Sequence, residues 1–241
     1  MAAKEEPSLG RLADRWRVED KRTKGELKRF NFMQRSLGDL SGVYPIRWVL
    51  NTIRQGSEFY ERTGNTILME KLHFKCGFFY NTSPVLDVGP IRVIVAYDYQ
   101  TMGVAPETFD LLRDGGGYGN TFGEYELGDL MSGFNEEFRD RWIILIDELF
   151  VPALQPSLPI AGERIMFGPS ERRQLGFERI VDLKGADGEP LVTQWQAQPP
   201  NDADGVIGNY AVVGGLYCWL LYNEDQTIGF RIQSDLYYRD K

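Results

Sequence analysis

The strongest constraint in this sequence is an apolar period of two. Between Glu70 and Phe79, Leu72, Phe74, Cys76 and Phe78 alternate with Lys71, His73, Lys75 and Gly77, the pattern of a strand with one covered face. The pattern recurs along the chain. Ile91, Val93, Val95 and Tyr97 alternate with Arg92, Ile94, Ala96 and Asp98, which reads as a second strand with a wetter outer face. Arg141 to Val151 is almost continuously apolar and stops at Pro152, as a strand covered on both faces would. Leu175, Phe177, Val181 and Leu183 form a further set, with Arg179 as the exception. Leu216 to Tyr222 is apolar and aromatic. In the last stretch Ile228, Phe230, Ile232, Leu236 and Tyr238 face one way, and Gly229, Arg231, Gln233, Asp235 and Arg239 the other. With Ile46 to Ile53 and Leu191 to Trp195, the strand candidates number eight. Turn-forming clusters such as Asn81-Thr82-Ser83-Pro84 and Gly185-Ala186-Asp187-Gly188 separate them. Outside the N-terminal arm, helical pattern is confined to Pro106–Leu112. Strands without alternating helices predict an all-β chain: a single eight-stranded jelly-roll sandwich over residues 41–241, preceded by a short arm, residues 1–40, with helical pattern.

Composition narrows the function classes. Aromatic residues are 13% of the 241 residues and glycines number 26, a mix that favours strands and turns. No apolar run approaches the ~20 residues that span a bilayer, and residues 1–7 lack the apolar stretch of a signal peptide. Cys76 and Cys218 are far apart and read as two small buried hydrophobes. His73 is the single histidine, at an outward strand position, and no oriented acid and nucleophile accompany it for catalysis. Net charge is −8, unevenly spread. Residues 1–36 hold ten Lys/Arg against six acids, leaving −12 on the rest. Acids interrupt the basic run throughout, so charge alone reads as a solvated amphipathic helix with Leu9, Leu12, Trp16 and Leu27 on its apolar side. Gly115-Gly116-Gly117-Tyr118-Gly119-Asn120 lacks the Gly-Lys-Ser/Thr of a phosphate loop. Asn201-Asp202-Ala203-Asp204-Gly205 lacks the closing Glu of a calcium loop. No cofactor or metal is expected.

The stretch over residues 46–80 is more specific. A short apolar strand ends in Gln55-Gly56, Arg62-Thr63-Gly64 follows, and the long alternating strand begins. Tyr97-Asp98-Tyr99-Gln100-Thr101, Gly103-Val104-Ala105-Pro106, Gly215-Leu216-Tyr217 and the closing strand Phe230 to Tyr238 then appear in order. Together they resemble the capsid proteins of small circular Rep-encoding single-stranded-DNA viruses over most of residues 43–240. The resemblance implies a jelly roll that assembles with copies of itself into a small icosahedral shell, about sixty copies if the shell is the smallest. It implies single-stranded DNA as a partner, no catalysis, and a place in the virion and the host nucleus. It also implies that the first, third, sixth and eighth strands face the shell interior. Counting Ile91 to Tyr97 as third and Ile228 to Tyr238 as eighth, Arg92, Arg231 and Arg239 are then expected to point into the lumen. With Arg11, Arg15, Arg17, Lys21, Arg22, Lys24, Lys28 and Arg29 they would form the nucleic-acid surface. The arm departs from the family's arginine-rich arm: its +4 weighs against packaging and nuclear import through it, and suits a shell built around little nucleic acid.

Two other classes fit parts of the pattern. A lectin-like jelly roll would use Tyr118, Phe122 and Tyr125 beside Asp114, Asn120 and Glu124. A carboxylate hydrolase would draw on Asp147-Glu148, Glu136-Glu137 or Glu124 with Glu126. The coat fold alone also leaves open a small RNA virus.

Overall fold

The computed structural model describes residues 25–36, 46–81, 90–101, 103–113, 130, 132–150, 172–195, 211–222 and 228–241. The lectin-type aromatic loop, the glycine run at 115–119 and the acidic turn at 201–205 lie outside them. Among the described residues are ten strands: β1 (Leu27–Ser36), β2 (Ile46–Val49), β3 (Thr66–Asn81), β4 (Ile91–Asp98), β5 (Trp142–Phe150), β6 (Arg172–Asp182), β7 (Leu191–Trp195), β8 (Ala211–Val213), β9 (Gly215–Tyr222) and β10 (Ile228–Asp240). One short α-helix, α1 (Thr108–Leu111), lies inside the expected helical stretch, and a 3-10 turn of helix spans Glu136–Arg141 before β5. Each of the eight candidate stretches contains a strand, although β2 covers only Ile46–Val49 of the stretch to Ile53; β1 and β8 are additional.

The strands form two antiparallel sheets. One has the order β1-β10-β3-β7-β8, with β6 also on β3; the other is β2-β9-β4-β5. β7 pairs with Leu68 and its neighbours at one end of β3, and β6 pairs from Lys71 onward. The two therefore act as one interrupted strand along the same edge. Residues facing inward from both sheets make the core: Leu72, Phe74, Cys76 and Phe78 of β3, Val93, Val95 and Tyr97 of β4, Leu216, Cys218 and Leu220 of β9, and Ile232, Leu236 and Tyr238 of β10. Aromatic contacts close the sandwich, with Trp48 against Phe230 at 5.2 Å and Phe150 against both Phe78 and Phe177 at 5.4 Å. The register shifts between Tyr237 and Tyr238 opposite Glu70. That bulge lets Met69 and Leu72 both point inward although they are three residues apart. Cys76 and Cys218 are buried and unbridged, and burial pushes both thiols up.

Three expectations need correction. Residues 27–36 do not continue a helical arm. They pair with β10 along their whole length, and Phe30 and Phe32 pack against the core, so long-range pairing overrides the local pattern. The outer face of β4 is not wet: every residue of β4 and β9 is buried. Ile94, Ala96, Tyr217, Trp219 and Leu221 lie under Leu111, Leu112 and Leu130, with Ala105 and Phe134 at the margin. β5, expected to be covered on both faces, is instead an edge strand with Asp147 and Leu149 exposed. The covering layer is pinned by Asp110. Its carboxylate accepts from Glu107 N at 3.0 Å, and its backbone carbonyl accepts from Trp142 Nε1 at 3.1 Å.

Candidate nucleic-acid interface

Several of the sequence-predicted residues lie on the outer face of the six-stranded sheet. Alternation places Arg29, Asn31, Met33 and Arg35 there from β1, and Arg231, Gln233 and Asp235 from β10. Lys71, His73, Lys75 and Gly77 follow from β3, then Glu178 and Ile180 from β6. Most of its cations meet an acid. Asp235 accepts from Asn31 Nδ2 at 2.6 Å and pairs with Arg29 at 2.8 Å, while His73 Nδ1 lies 3.9 Å away. Glu178 is hydrogen-bonded by His73 Nε2 and paired with Lys75 at 3.2 Å. The His73 hydrogen bond, with help from Lys75 and against burial, holds the Glu178 carboxyl below the usual carboxylate range. His73 is thus partly covered between two acids rather than freely exposed. Lys71 lies 3.9 Å from Asp182.

The eleven residues expected to bind nucleic acid separate into four groups. Arg11, Arg15, Arg17, Lys21, Arg22 and Lys24 lie outside the described residues. Lys28, Arg29 and Arg239 are held in ion pairs on β1 and β10. Lys28 joins Asp240 at 2.8 Å and donates to the Glu61 carbonyl at 2.7 Å. Arg239 pairs with Glu70 and donates to the Gly25 carbonyl at 2.8 Å. Arg92 does not share a face with Arg231 and Arg239. β4 and β10 belong to different sheets, and Arg92 is only 7% exposed beneath the covering layer. Its fork is bidentate to Asp147 at 2.7 and 2.8 Å, and its other nitrogen donates to the carbonyls of Leu130 and Ser132. Arg231 alone stays exposed without an acid among the described residues; its guanidinium reaches only Gln233 at 3.5 Å and Met33 Sδ at 3.8 Å.

Sequence reasoning passes over one residue of this face. Arg35 stands directly across from Arg231 in the β1–β10 register, and it is exposed. A helical reading of 27–36 hides this, because the cross-strand relation exists only once β1 is a strand. Of the acid pairs considered for hydrolysis, Glu124 with Glu126 lies outside the described residues, and Asp147, Glu148 and Glu136 are taken up by separate cations. Asp147 takes Arg92, Glu148 takes Arg179 at 2.6 Å across the sandwich rim, and Glu136 takes Arg113 at 3.1 Å. Beside β1 lies a groove of about 570 Å³ lined by Arg29, Phe30, Asn31, Thr52, Arg54, Tyr60 and Glu61. The loop flanking it is braced by buried Arg62, which stacks on Trp195 at 4.4 Å and donates to the Ile53 carbonyl at 3.1 Å. Phe59 and Tyr60 project from that loop, both more than half exposed. Compared with known proteins, the chain matches no family model, and no curated protein matches it.

Proposed function

We propose that this chain is a viral coat protein whose sandwich is a jelly roll and whose activity is self-assembly into a closed icosahedral shell around single-stranded DNA. The observation that carries the reading is the order of strand pairing. β1 pairs with β10, β2 with β9, β3 with the β6–β7 pair, and β4 with β5. Successive pairs alternate between the two sheets. Pairing of this kind is what one long antiparallel hairpin wrapped into a sandwich would give, and it supports the jelly-roll reading. With β1 counted as first and β6–β7 as the sixth, the six-stranded sheet holds the first, third, sixth and eighth strands of the wrapped hairpin. These are the strands the capsid resemblance turns toward the interior. Ile91–Tyr97 is then the fourth strand, and Arg92 belongs to the opposite sheet.

The ends of the sandwich supply surface for contacts between copies. Phe59, Tyr60, Val104 and Val213 are exposed on loops or strand ends and Phe138 on the 3-10 helix Glu136–Arg141, and apolar side chains of this kind are what protein–protein interfaces bury. Negative-stain microscopy of the purified chain, with size-exclusion chromatography across pH and salt, tests the reading. Closed particles of uniform diameter are expected. A monomer that persists across all conditions overturns it.

A further inference from the structure

On the outer face of the six-stranded sheet, Arg35 and Arg231 are direct cross-strand partners. Like charges placed so are destabilising unless a counter-charge is present. Elsewhere on this face the fold supplies that counter-charge: Arg29 has Asp235, Lys71 has Asp182, Lys75 has Glu178 and Arg239 has Glu70. At the Arg35–Arg231 row it supplies none among the described residues. The same row continues across the sheet as Gly77 on β3 and Gly176 on β6. A Cβ at Gly176 would stand 2.5 Å from the Cys76 carbonyl oxygen and 3.1 Å from the Gly77 Cα, so this part of the row is kept low by backbone contact. Two exposed guanidiniums therefore stand beside a strip without side chains, open to a ligand lying along the face. The neighbouring outward position on β10, Gln233, adds a neutral amide within reach of Arg231.

We propose that Arg35 and Arg231 form an anion subsite that receives a backbone phosphate of single-stranded nucleic acid. The choice of nucleic acid over a free anion rests on the coat-protein reading; the anion subsite itself rests on the register and the charge pairing. A guanidinium offers two parallel donors to phosphate oxygens, and with Arg35 and Arg231 at directly paired positions on adjacent strands, two such groups can turn onto one tetrahedral anion. The bound phosphate cancels the repulsion that the empty pair imposes on β1 and β10.

The test compares wild type, the double variant Arg35→Gln with Arg231→Gln, and Arg113→Gln as a control on another surface. A fluorescently labelled oligothymidylate is titrated at several salt concentrations. The double variant is expected to bind roughly tenfold more weakly at low salt, and its salt slope to be smaller by about 0.7, the contribution of one phosphate on a single strand. Arg113→Gln should match wild type. In thermal denaturation at matched ionic strength, inorganic phosphate should raise the Tm of wild type above its value in chloride. It should leave the double variant unchanged. Without phosphate at low salt, the double variant should melt higher than wild type. Equal oligonucleotide affinity and slope in wild type and double variant overturn the proposal. Stabilisation by inorganic phosphate without any loss of oligonucleotide binding overturns the nucleic-acid assignment. Microscopy of the same preparations separates the two readings. Shells with unchanged binding remove the subsite and leave the coat function, whereas lost binding without shells in any sample keeps the subsite and removes the coat function.

Discussion

Arg92 carries every one of its guanidinium nitrogens to an acceptor inside the fold: a carboxylate on β5 and two carbonyls of the segment crossing over β4. Its side chain also lies over the Phe134 ring at 5.5 Å. It works as a tie between the four-stranded sheet and its covering layer. In sequence it stands in an alternating run and looks like the wet side of a strand. What changes its role is a layer contributed by residues up to Ser132 and Phe134, about forty positions away, and no period within the strand reports that. Arg92→Ala leaves Asp147 without its partner and two carbonyls without a donor. The expected loss is about 2 kcal/mol in urea denaturation: two buried carbonyls lose their donor, whereas Asp147 is exposed and is hydrated once unpaired. Arg92→Lys should recover only part of it, because an ammonium cannot reproduce the fork. Equal stability of all three proteins would mean the tie bears nothing. Arg231 is the opposite case: its outward direction is readable from the clean alternation of β10, but its significance depends on Arg35, a residue 196 positions away in the chain.

At the scale of elements, the alternating stretches are readable because a covered sheet face imposes period two on whatever strand lies there. The long strand β3 and the closing strand β10 show it best. β8 is three residues long, too short to show any period. β1 is hidden for a different reason. Its inward residues Phe30 and Phe32 are interleaved with Arg29, Asn31 and Met33, and it follows a stretch whose leucines fit a helical stripe. Pairing with β10 decides the matter, and β10 is about two hundred residues further on. The two conformations make different demands on side chains. In a helix, Phe30 and Met33 would share a face and Phe32 would lie off it. In the strand, Phe30 and Phe32 share the inward face and Met33 is exposed. Phe30→Ala and Phe32→Ala should therefore each destabilise by about 2–3 kcal/mol, at or below the bottom of the range for a fully buried Phe, because both rings are only partly buried. Met33→Ala should stay within about 0.5 kcal/mol. Comparable losses at Phe30 and Met33 with none at Phe32 would return this segment to the helical reading.

For the whole molecule, the balance of charge matters more than any one pair. The chain carries −8, yet the outer face of the six-stranded sheet is assembled so that acids from β3, β6 and β10 neutralise most of its cations internally. This explains why counting basic residues along the sequence overstates the unpaired positive charge of the face: a residue's sign is visible in the sequence, but its partner is not. The same pairing sets the response to acid. Asp240 is pushed up by burial, but hydrogen bonds from Lys28 and from the Thr63 hydroxyl and N–H outweigh this and hold its carboxyl below the usual range. Glu178 is held low as well, first by its hydrogen bond with His73. A carboxyl whose folded pKa lies below its unfolded value binds fewer protons in the native state than in the unfolded one. Its contribution is fully present above the unfolded pKa and fades as pH falls through the folded pKa. Stability of the wild type should thus begin to fall below about pH 5 and keep falling through the carboxylate range. Asp240→Asn should be less stable than wild type at pH 7, and the gap between the two should close as pH drops. The reason is that the protonated carboxyl of Asp240 and the amide that replaces it are then equally uncharged partners for Lys28. Denaturant midpoints measured at pH 7, 5, 4 and 3 on both proteins, roughly spanning the carboxylate range, read this directly. A gap that stays constant across the series would show that Asp240 acts through hydrogen bonding to Thr63 alone, and that its charge is not part of what joins β1 to the end of β10.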